Sequence, residues 1–369
     1  MRSPVQNNPL PSVARPMQAT MQDIARECGV TKMTVSRVLA DRNGVKVATR
    51  EKILDAAKRL NYEVNSLAQN LNSNRSGFIG VATALDVMLG SPYLAEVFMG
   101  FRLGFAINNS ELNFALFDTG SDSYNTGVKL ARLYRQKRID GLLIIALHTS
   151  DHFLGTLEEL HMPMVVVGEK ADFPSVCSVS CDDQRGIKAL CAHLYALGHR
   201  RIAYVDGPPD ISTANRRKQA YLAFCRTKKL NNPAWYVQPG VYSMQSGREA
   251  GHDLLTSRPR PTAIIAANDM MAYGVMESAR ELNLRVPEDV SIGGFDDLPT
   301  AAERCPSLTT VHQPVKEMGE LSARIVLQSL SSGVPPKGQT VMDVSLVIRE
   351  STAPPPTSNS GSRTPKKKS

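Results

Sequence analysis

Residues 20–71, TMQDIARECGVTKMTVSRVLADRNGVKVATREKILDAAKRLNYEVNSLAQNL, decide how this 369-residue chain is organised. The stretch opens with Thr20 followed three residues later by Asp23. A hydroxyl and a carboxylate at this spacing satisfy the free N–H groups of a first helical turn. They therefore predict a first helix over 21–28.

A second and a third helix follow from the next signals in the stretch. Gly29 permits the left-handed backbone that a tight turn needs, and Thr31 offers a new cap. The second helix is expected over 32–39, and an amphipathic pattern predicts the third over 48–60. Two short helices joined by a glycine-containing turn, completed by a third, are typical of a helix-turn-helix.

The second helix is expected to turn its polar groups outward, where hydroxyls and cations suit phosphates and base edges in a DNA major groove. The alternative is an ordinary helical hairpin with a solvated basic face, because many helix pairs contain a glycine turn. The candidate DNA-contacting residues of these helices are Thr20, Thr31, Lys32, Met33, Thr34, Ser36, Arg37 and Thr49.

The strings DIARECGVTKMTVSRVL, TREKILDAAKRLNYEVN and LAQNL closely resemble the head and hinge of the LacI/GalR (lac repressor/galactose repressor) family of bacterial regulators. The resemblance implies that Lys32, Met33 and Arg37 lie on the recognition helix. It also implies a hinge that begins at Asn65 and places Leu71 in the minor groove. A side chain wedged between base steps kinks the duplex at a cost of a few kcal/mol, which additional contacts offset.

The positive charge of the chain lies at its two ends. Residues 1–76 contain 12 Lys and Arg against 6 Asp and Glu, and residues 351–369 contain 4 against none. Since the whole chain carries a net charge of +8, the segment between them has a net charge of −2. This distribution predicts polyanion binding at the head.

The six cysteines form no C-x-x-C pair, so we expect reduced thiols and neither a disulfide framework nor a zinc site. No apolar run reaches 18 residues, and residues 1–19 lack the apolar centre of a signal peptide. A soluble, cytoplasmic protein with no membrane partner is expected.

From residue 77 short apolar runs alternate with amphipathic segments, which predicts parallel sheets built from right-handed crossovers. The strands are expected at 78–84, 113–117, 141–147, 164–167, 176–180, 202–205, 235–237, 263–266, 290–293 and 341–347. The helices are expected at 93–107, 124–138, 152–160, 183–197, 215–229, 244–255, 269–282 and 315–330. These strands and helices are too many for one sheet. We therefore expect two lobes with a cleft between them.

The family resemblance extends over this body through GHRRIAYVDGP, AIIAANDMMAYGVMESARELNLRVPEDVSIGGFDD and LTTVHQPVKEMGE. It implies a two-lobed, periplasmic-binding-protein-like core. Three crossovers would link its lobes, the last near 308–314. The expected fold class is thus α/β, with a three-helix helix-turn-helix head, a hinge and this core with parallel sheets.

Polar residues follow several predicted strands, and ligands of open parallel sheets bind at those carboxyl ends. Asn268 and Asp296 follow strands, Arg217 lies near a helix start, and Tyr93 and Tyr242 could cover a ring. We expect the glycines of the GGF run before Asp296 to let a ligand approach closely. We also expect Arg217 to face Asp296 across the cleft.

Each of these polar residues has a plainer structural alternative. Asp269 can cap its helix, Asp296 and Asp297 can lie in a turn, and Arg217 can form a surface ion pair. The family resemblance favours the functional reading, because the matching motif positions contact effectors in the family. The effector-binding candidates are Tyr93, Thr213, Arg217, Tyr242, Asn268, Asp296 and Gln313.

Enzyme motifs are absent from the sequence. It has no G-x-S-x-G, no phosphate loop and no metal-ligand spacing among its seven histidines, so no catalytic residue, metal or cofactor is expected. A sugar-binding transport protein would share the two-lobed fold, but it would lack the head and need a signal peptide.

The resemblance implies a transcription regulator, expected to be a homodimeric repressor on a near-palindromic operator and controlled by a sugar or sugar acid. An activator or a corepressor-dependent regulator remains the alternative. The GVTKMTVSR run is similar to gluconate-type members. The expected domains are a disordered tail at 1–18, a DNA-binding domain at 19–64, a hinge at 65–76, a core at 77–350 and a disordered basic tail at 351–369.

Overall fold

The structure is a computed structural model that describes residues 19–39, 43–62, 75–84, 90–106, 113–119, 123–145, 153–170, 176–230 and 232–356. The chain divides into two compact units, Met1–Asn74 and Arg75–Ser369, called here the head and the core. The predicted hinge residues Asn65 and Leu71 lie outside the described residues.

The head contains the three predicted helices, α1 (Met21–Cys28), α2 (Lys32–Leu39) and α3 (Val47–Arg59). The capping box that predicts the start of α1 is present. The N–H of Asp23 donates to the Thr20 hydroxyl at 3.3 Å, and the N–H of Thr20 donates to the Asp23 carboxylate at 3.0 Å. Two of the free N–H groups of the first turn are thereby satisfied locally.

One apolar side chain from each helix forms the centre of the head. Ile24, Val35 and Ile53 have no exposed surface. Gly29 follows α1 with φ +69°, the left-handed conformation that the turn to α2 requires. The helix-turn-helix prediction is confirmed, and its core is small but complete.

The core alternates strands and helices as the sequence predicts. Its strands are β1 (Phe78–Thr83), β2 (Asn113–Asp118), β3 (Gly141–Ile145), β4 (Met164–Val167), β5 (Cys177–Cys181), β6 (Ile202–Val205), β7 (Val237–Gln238), β8 (Ala263–Ala266), β9 (Ser291–Asp296), β10 (Thr309–His312), β11 (Gln339–Met342) and β12 (Ser345–Val347). Its α-helices are α4 (Pro92–Ala106), α5 (Ser123–Arg135), α6 (Phe153–Glu158), α7 (Asp183–Ala196), α8 (Ser212–Thr227), α9 (Met244–Thr256), α10 (Asp269–Glu281), α11 (Thr300–Glu303) and α12 (Val315–Ser332).

The strands form two six-stranded sheets, one in each lobe. The N-terminal lobe has the order β2-β1-β3-β4-β5-β11, and all its pairs are parallel. The C-terminal lobe has the order β7-β6-β8-β9-β10-β12, in which only the β10–β12 pair is antiparallel. Strands β3, β4 and β5 are buried along their whole length, as expected where helices cover both faces of a parallel sheet.

Within the described residues, the chain crosses between the lobes three times. It crosses from β5 to α7 at Asp182, from β10 to α12 at Gln313 and Pro314, and from β11 to β12 at Asp343 and Val344. The prediction that the last crossover lies near 308–314 is wrong, because that crossover is the second.

The error arises from the predicted strand over 341–347. It is two strands in different sheets, β11 in the N-terminal lobe and β12 in the C-terminal lobe. The short apolar run hides a change of lobe, since periodicity reports burial and not which sheet a strand joins. The expected strand over 235–237 is likewise a 3-10 turn (Ala234–Tyr236) before the short β7.

Two predicted boundaries of the core require correction. Arg75 and Ser76 belong to the core and not to the hinge, because the N–H of Ser76 donates to the Asp140 carboxylate at 2.7 Å. Residues 351–356 are ordered, whereas a disordered tail is expected from 351. Ser351 has no exposed surface and donates its hydroxyl to the carbonyl of Ile292 at 2.6 Å. These hydrogen bonds extend the core past the point where the sequence turns Pro- and Ser-rich.

Helices α4 and α12 pack in backbone contact on the N-terminal lobe. A Cβ at Gly100 would lie 2.1 Å from the carbonyl oxygen of Lys316, and one at Gly319 would lie 2.5 Å from that of Val97. The two helix backbones can approach each other this closely only because both positions lack a side chain. The two helices are therefore held at a separation that no larger residue allows.

Gly100→Ala is expected to lower the free energy of unfolding by about 1–3 kcal/mol, because the new methyl group must push two helix backbones apart. The intrinsic helix preference for alanine recovers only about 1 kcal/mol of this cost. Chemical denaturation of the full chain measures the change, and Glu317→Ala on the exposed face of α12 is the matched control. A more stable Gly100→Ala protein would contradict the packing argument.

Candidate functional site

The first candidate site is the exposed face of α2. Val35 and Val38 are buried in the head, whereas Lys32, Met33 and Arg37 are exposed and Met33 has 69% of its surface free. A methionine this exposed makes no contribution to the core. Met33 makes this face apolar at one point, and Lys32 and Arg37 make it cationic at two. A helix face of this kind suits the base edges and phosphates of a DNA groove.

The other candidates in the head have mixed roles. The Thr31 hydroxyl accepts from the N–H of Thr34 at 3.2 Å and pairs with its hydroxyl at 2.9 Å, so both are engaged in capping α2. Thr20 caps α1 in the same way. Ser36 and Thr49 are partly buried. The hydroxyls of Thr20, Thr31 and Thr34 therefore have a structural use, whether or not they also contact DNA.

The second candidate site lies where the two lobes of the core meet. Arg217 is its centre and is 4% exposed. Its Nε donates to the Asp183 carboxylate at 2.8 Å, Nη1 to the carbonyl of Ala267 at 2.7 Å and Nη2 to Gln313 at 3.1 Å. Its guanidinium also lies 3.6 Å from the ring centroid of Phe295. A buried guanidinium is tolerated only with such complete pairing.

Asp296 ends β9 in a strained backbone conformation, with φ +123°. Its carboxylate lies 3.6 Å from Nη1 of Arg217, beyond normal hydrogen-bond length. Burial raises the pKa of Asp296 to about 7, Arg217 opposes the shift, and the Asp183 charge adds to it. Strained, buried carboxylates with shifted pKa values cluster at functional sites.

The sequence predicts that Arg217 and Asp296 face each other across the cleft, but this prediction is wrong. Both belong to the C-terminal lobe, where α8 starts at Ser212 and places Arg217 one turn inside the helix. The GGF glycines also have a different use from the one predicted. A Cβ at Gly294 would lie 2.3 Å from the Asp269 carboxylate, so this glycine admits a side chain of the protein itself.

Asp269 and Asn268 hold the site together from behind. Asp269 is fully buried and accepts from the Thr310 hydroxyl at 2.5 Å and from the N–H of Leu298 at 2.9 Å. Asn268, and not Asp269, caps α10, accepting from the N–H of Met271 at 2.9 Å. The amide of Asn268 also donates to the carbonyl of Tyr242 at 3.2 Å, so its position favours support of Tyr242.

The aromatic candidates approach this centre from both lobes. Tyr242 of the C-terminal lobe has φ +61° and a buried hydroxyl without a hydrogen-bond partner among the described residues. Tyr93 of the N-terminal lobe brings its hydroxyl against Gly168, where a Cβ would lie 2.4 Å away. Burial and then the Asp296 charge raise the pKa of Tyr93 well above its ordinary value. The predicted residues Tyr93, Thr213, Arg217, Tyr242, Asp296 and Gln313 thus converge.

The structure adds Glu169, which sequence reasoning misses. It follows β4 in the N-terminal lobe and is 2% exposed. Its carboxylate accepts from the N–H of Thr213 at 3.1 Å, from the Thr213 hydroxyl at 2.6 Å and from the Ser212 hydroxyl. A carboxylate of one lobe therefore satisfies the free N-terminus of α8 in the other.

Arg216 and Asp183 complete this network, and neither is among the candidate residues predicted from the sequence. Arg216 lies 3.3 Å from the Glu169 carboxylate and 2.8 Å from that of Asp183. Burial raises the pKa of Glu169, although Arg216 and the hydroxyls of Ser212 and Thr213 oppose the shift. Glu169 and Asp183 could have been found from their places just after β4 and β5, where ligand-binding residues of parallel sheets lie.

A separate cavity of about 410 Å³ lies on the C-terminal lobe, between α9 and α10. Its lining is charged, and Arg248 pairs there with Glu281 at 2.9 Å. All its residues come from one lobe, so its occupant would not bridge the lobes. Among the described residues no group of three His, Cys, Asp or Glu is arranged to hold a metal ion, and no helix is long and apolar enough to cross a membrane.

Comparison with known proteins follows the division into head and core. Residues 20–65 match the family model for bacterial regulatory proteins of the lacI family, and residues 191–352 match that of a periplasmic binding protein-like domain. The ribose operon repressor of Escherichia coli (strain K12) is 31% identical over 319 residues, which cover 85% of this chain and 93% of that protein. The HTH-type transcriptional repressor PurR of Proteus mirabilis is 33% identical over 321 residues, covering 85% and 90%.

Solved structures resemble the chain over a similar length. The lac repressor dimer bound to operator and the anti-inducer ONPF matches with a TM-score of 0.80 and 28% identity, covering 91% of this chain and 99% of that one. A complex of the transcriptional regulator CelR with cellobiose matches with a TM-score of 0.67 and 28% identity, covering 91% and 100%.

The raised pKa of Asp296 makes a prediction for stability against pH. The folded protein keeps the Asp296 proton up to about pH 7, whereas the ordinary aspartate value is 3.8. The folded state therefore binds more protons between these values, and stability falls as pH rises through this window. Asp296→Asn removes this contribution, so its melting temperature should fall less from pH 4 to 7 than that of the wild type.

Thermal melts across this pH range measure the effect, and Asp253→Asn at an exposed position is the control. Glu169 and Asp269, whose pKa values burial also raises, leave a residual slope of the same sign in both proteins. An unchanged slope in Asp296→Asn would show that Asp296 titrates as in the unfolded chain.

Proposed function

Because the chain belongs to the lacI family of bacterial regulatory proteins, we propose that it is a transcriptional repressor controlled by a sugar-like effector. It binds a near-palindromic operator as a homodimer and acts in the cytoplasm without catalysing a reaction. The observation that carries this proposal is the exposed face of α2, where Lys32, Met33 and Arg37 project from a helix packed on its other side.

The head supports DNA binding over the transport alternative. A transport protein with the same two lobes has no use for a compact three-helix unit with an exposed Met33 at the start of its second helix. In a helix-turn-helix the N-terminal residues of the second helix contact base edges. A near-palindromic operator follows from a two-fold dimer, since each head reads one half-site.

The effector proposal rests on the place where Glu169, Arg217 and Asp296 meet. They lie at strand and helix ends of two parallel-sheet lobes, where such folds bind ligands. A molecule bound between the lobes stabilises the lobe arrangement that it contacts best. Relatives of this chain were solved with ONPF, cellobiose and ribose, which are sugars or sugar derivatives. If the effector weakens operator binding, it releases the repressor from DNA. If the effector strengthens operator binding, it acts as a corepressor.

The test begins with selection of duplexes from a random DNA library by the full chain. Near-palindromic sites are expected, and failure to enrich any sequence would contradict the proposal. Lys32→Ala and Met33→Ala should change the preferred bases at one position of each half-site, at about 1–3 kcal/mol per lost contact.

Arg37→Ala is the matched comparison, because a phosphate contact lacks sequence information. It should weaken binding to all duplexes alike and reduce the dependence of affinity on salt. Repeating the selection with each variant distinguishes the two roles. An unchanged base preference in both Lys32→Ala and Met33→Ala would remove base reading from the start of α2.

A further inference from the structure

Every guanidinium nitrogen of Arg216 and Arg217 in the interlobe cleft already donates to an acceptor of the protein. Arg217 uses all three nitrogens on Asp183, Ala267 and Gln313. Arg216 likewise uses Nε on Asp183, Nη1 on Ser212 and Nη2 on Glu169. Because Nη1 and Nη2 of each group keep further N–H bonds, an effector carboxylate or phosphate would have to share these nitrogens with acceptors of the chain.

The N-terminus of α8, which carries a partial positive charge, is also filled. The Glu169 carboxylate takes the N–H and hydroxyl of Thr213 together with the Ser212 hydroxyl. Because Glu169 is 2% exposed and reaches this point from the opposite lobe, it leaves little space for a second anion. Its charge would also repel one at short range.

One acceptor of the cleft is less completely used. The Asp296 carboxylate has its nearest cationic nitrogen, on Arg217, at 3.6 Å, beyond normal hydrogen-bond length. The buried Tyr242 hydroxyl, which has no hydrogen-bond partner among the described residues, can accept or donate. A ligand hydroxyl that donates to Asp296 would therefore fill an open position.

The charge balance points the same way. Glu169, Asp183 and Asp296 place three carboxylates beside the two guanidinium groups of Arg216 and Arg217. Asp206 adds a carboxylate that Lys218 neutralises at 2.7 Å, so it leaves the balance unchanged. Together with the buried Asp269 behind them, these carboxyl groups outnumber the guanidinium groups before any ligand enters. Burial raises the pKa of Asp296 to about 7, so a further negative charge is poorly stabilised there.

We propose that the cleft selects uncharged, hydroxyl-rich effectors and that Glu169 is the residue that excludes their acid and phosphate counterparts. This inference rests on the proposed function. Of the two effector classes expected from the sequence, sugars and sugar acids, it selects sugars. Hydroxyls donate to Asp296 and Tyr242, whereas an anion meets Glu169 at the N-terminus of α8, which would otherwise attract it.

The experiment compares neutral sugars with charged derivatives that keep the sugar ring. The probes are glucose with glucuronate and glucose 6-phosphate, ribose with ribose 5-phosphate, and cellobiose with its uronate, cellobiuronate. Calorimetric titration of the full chain, after a thermal-shift screen, gives the ratio of acid to neutral dissociation constants. In the wild type the neutral member of the binding set should bind at least about tenfold more tightly than its charged forms, as expected for one unpaired charge near a buried carboxylate.

Glu169→Gln keeps the size and an acceptor oxygen but removes the charge. This variant should reduce the acid-to-neutral ratio by about tenfold, because the repulsion is lost. Glu159→Gln, an exposed carboxylate of the same lobe, should leave the ratio as in the wild type. The wild-type panel decides whether the cleft selects neutral effectors even if Glu169→Gln fails to fold, and Glu169→Asp, which keeps the charge, should then retain the wild-type ratio.

Three results would overturn the inference. A wild-type protein that binds a charged member as tightly as the neutral one would remove the selectivity while leaving a sugar-like effector in place. An unchanged ratio in a folded Glu169→Gln would remove Glu169 as its cause. If no member of any set binds the wild type, the sugar-like effector of the proposed function is wrong, and this inference fails with it.

Discussion

The pairing of buried charges around Arg217 is the constraint on which the core depends. A guanidinium that is 4% exposed must be matched by acceptors, and Asp183, Gln313 and the Ala267 carbonyl supply them from three separate segments. Removing one partner of such a group leaves an unpaired buried charge, which typically costs several kcal/mol. The site is consequently fixed by the same interactions that hold the C-terminal lobe together at its carboxyl edge.

Glu169 connects this group of buried charges to the N-terminal lobe. It leaves β4 in the N-terminal lobe and satisfies the start of α8 in the C-terminal lobe, with Arg216 linking it to Asp183. A ligand that changes the relation of the lobes must alter these contacts. It can shift the balance between two arrangements only by the difference in its affinity for them. The network across the lobes is therefore where binding energy can become conformational change.

The helices of the head and the alternating strands of the core could be predicted because their signals are local. Thr20 with Asp23 starts α1, and Gly29 ends it, within the range that the sequence indicates. The lobe crossovers could not be predicted from periodicity. The residues of β11 and β12 read as one apolar run, and their separation into two sheets depends on contacts with strands far away in the chain.

The sequence could predict which residues belong to the candidate site but not how those residues are connected. Arg217 and Asp296 are at the site, yet the sequence does not show that they share a lobe or that Asp269 fills the space left by Gly294. Glu169 is adjacent to a strand end, a signal available from the start. Its partners in α8 lie more than forty positions onward and are brought to it only by the juxtaposition of the lobes.

Hydrogen–deuterium exchange of the full chain, with and without the small molecule that alters operator binding, tests most directly whether this network is where the effector acts. Slower exchange is expected after β4, at 167–170, and over the first turns of α8, at 212–217, because a bound molecule would restrict both lobes there. Unchanged exchange in these segments, with protection instead around Arg248 and Glu281, would contradict the account and place the effector in the cavity between α9 and α10.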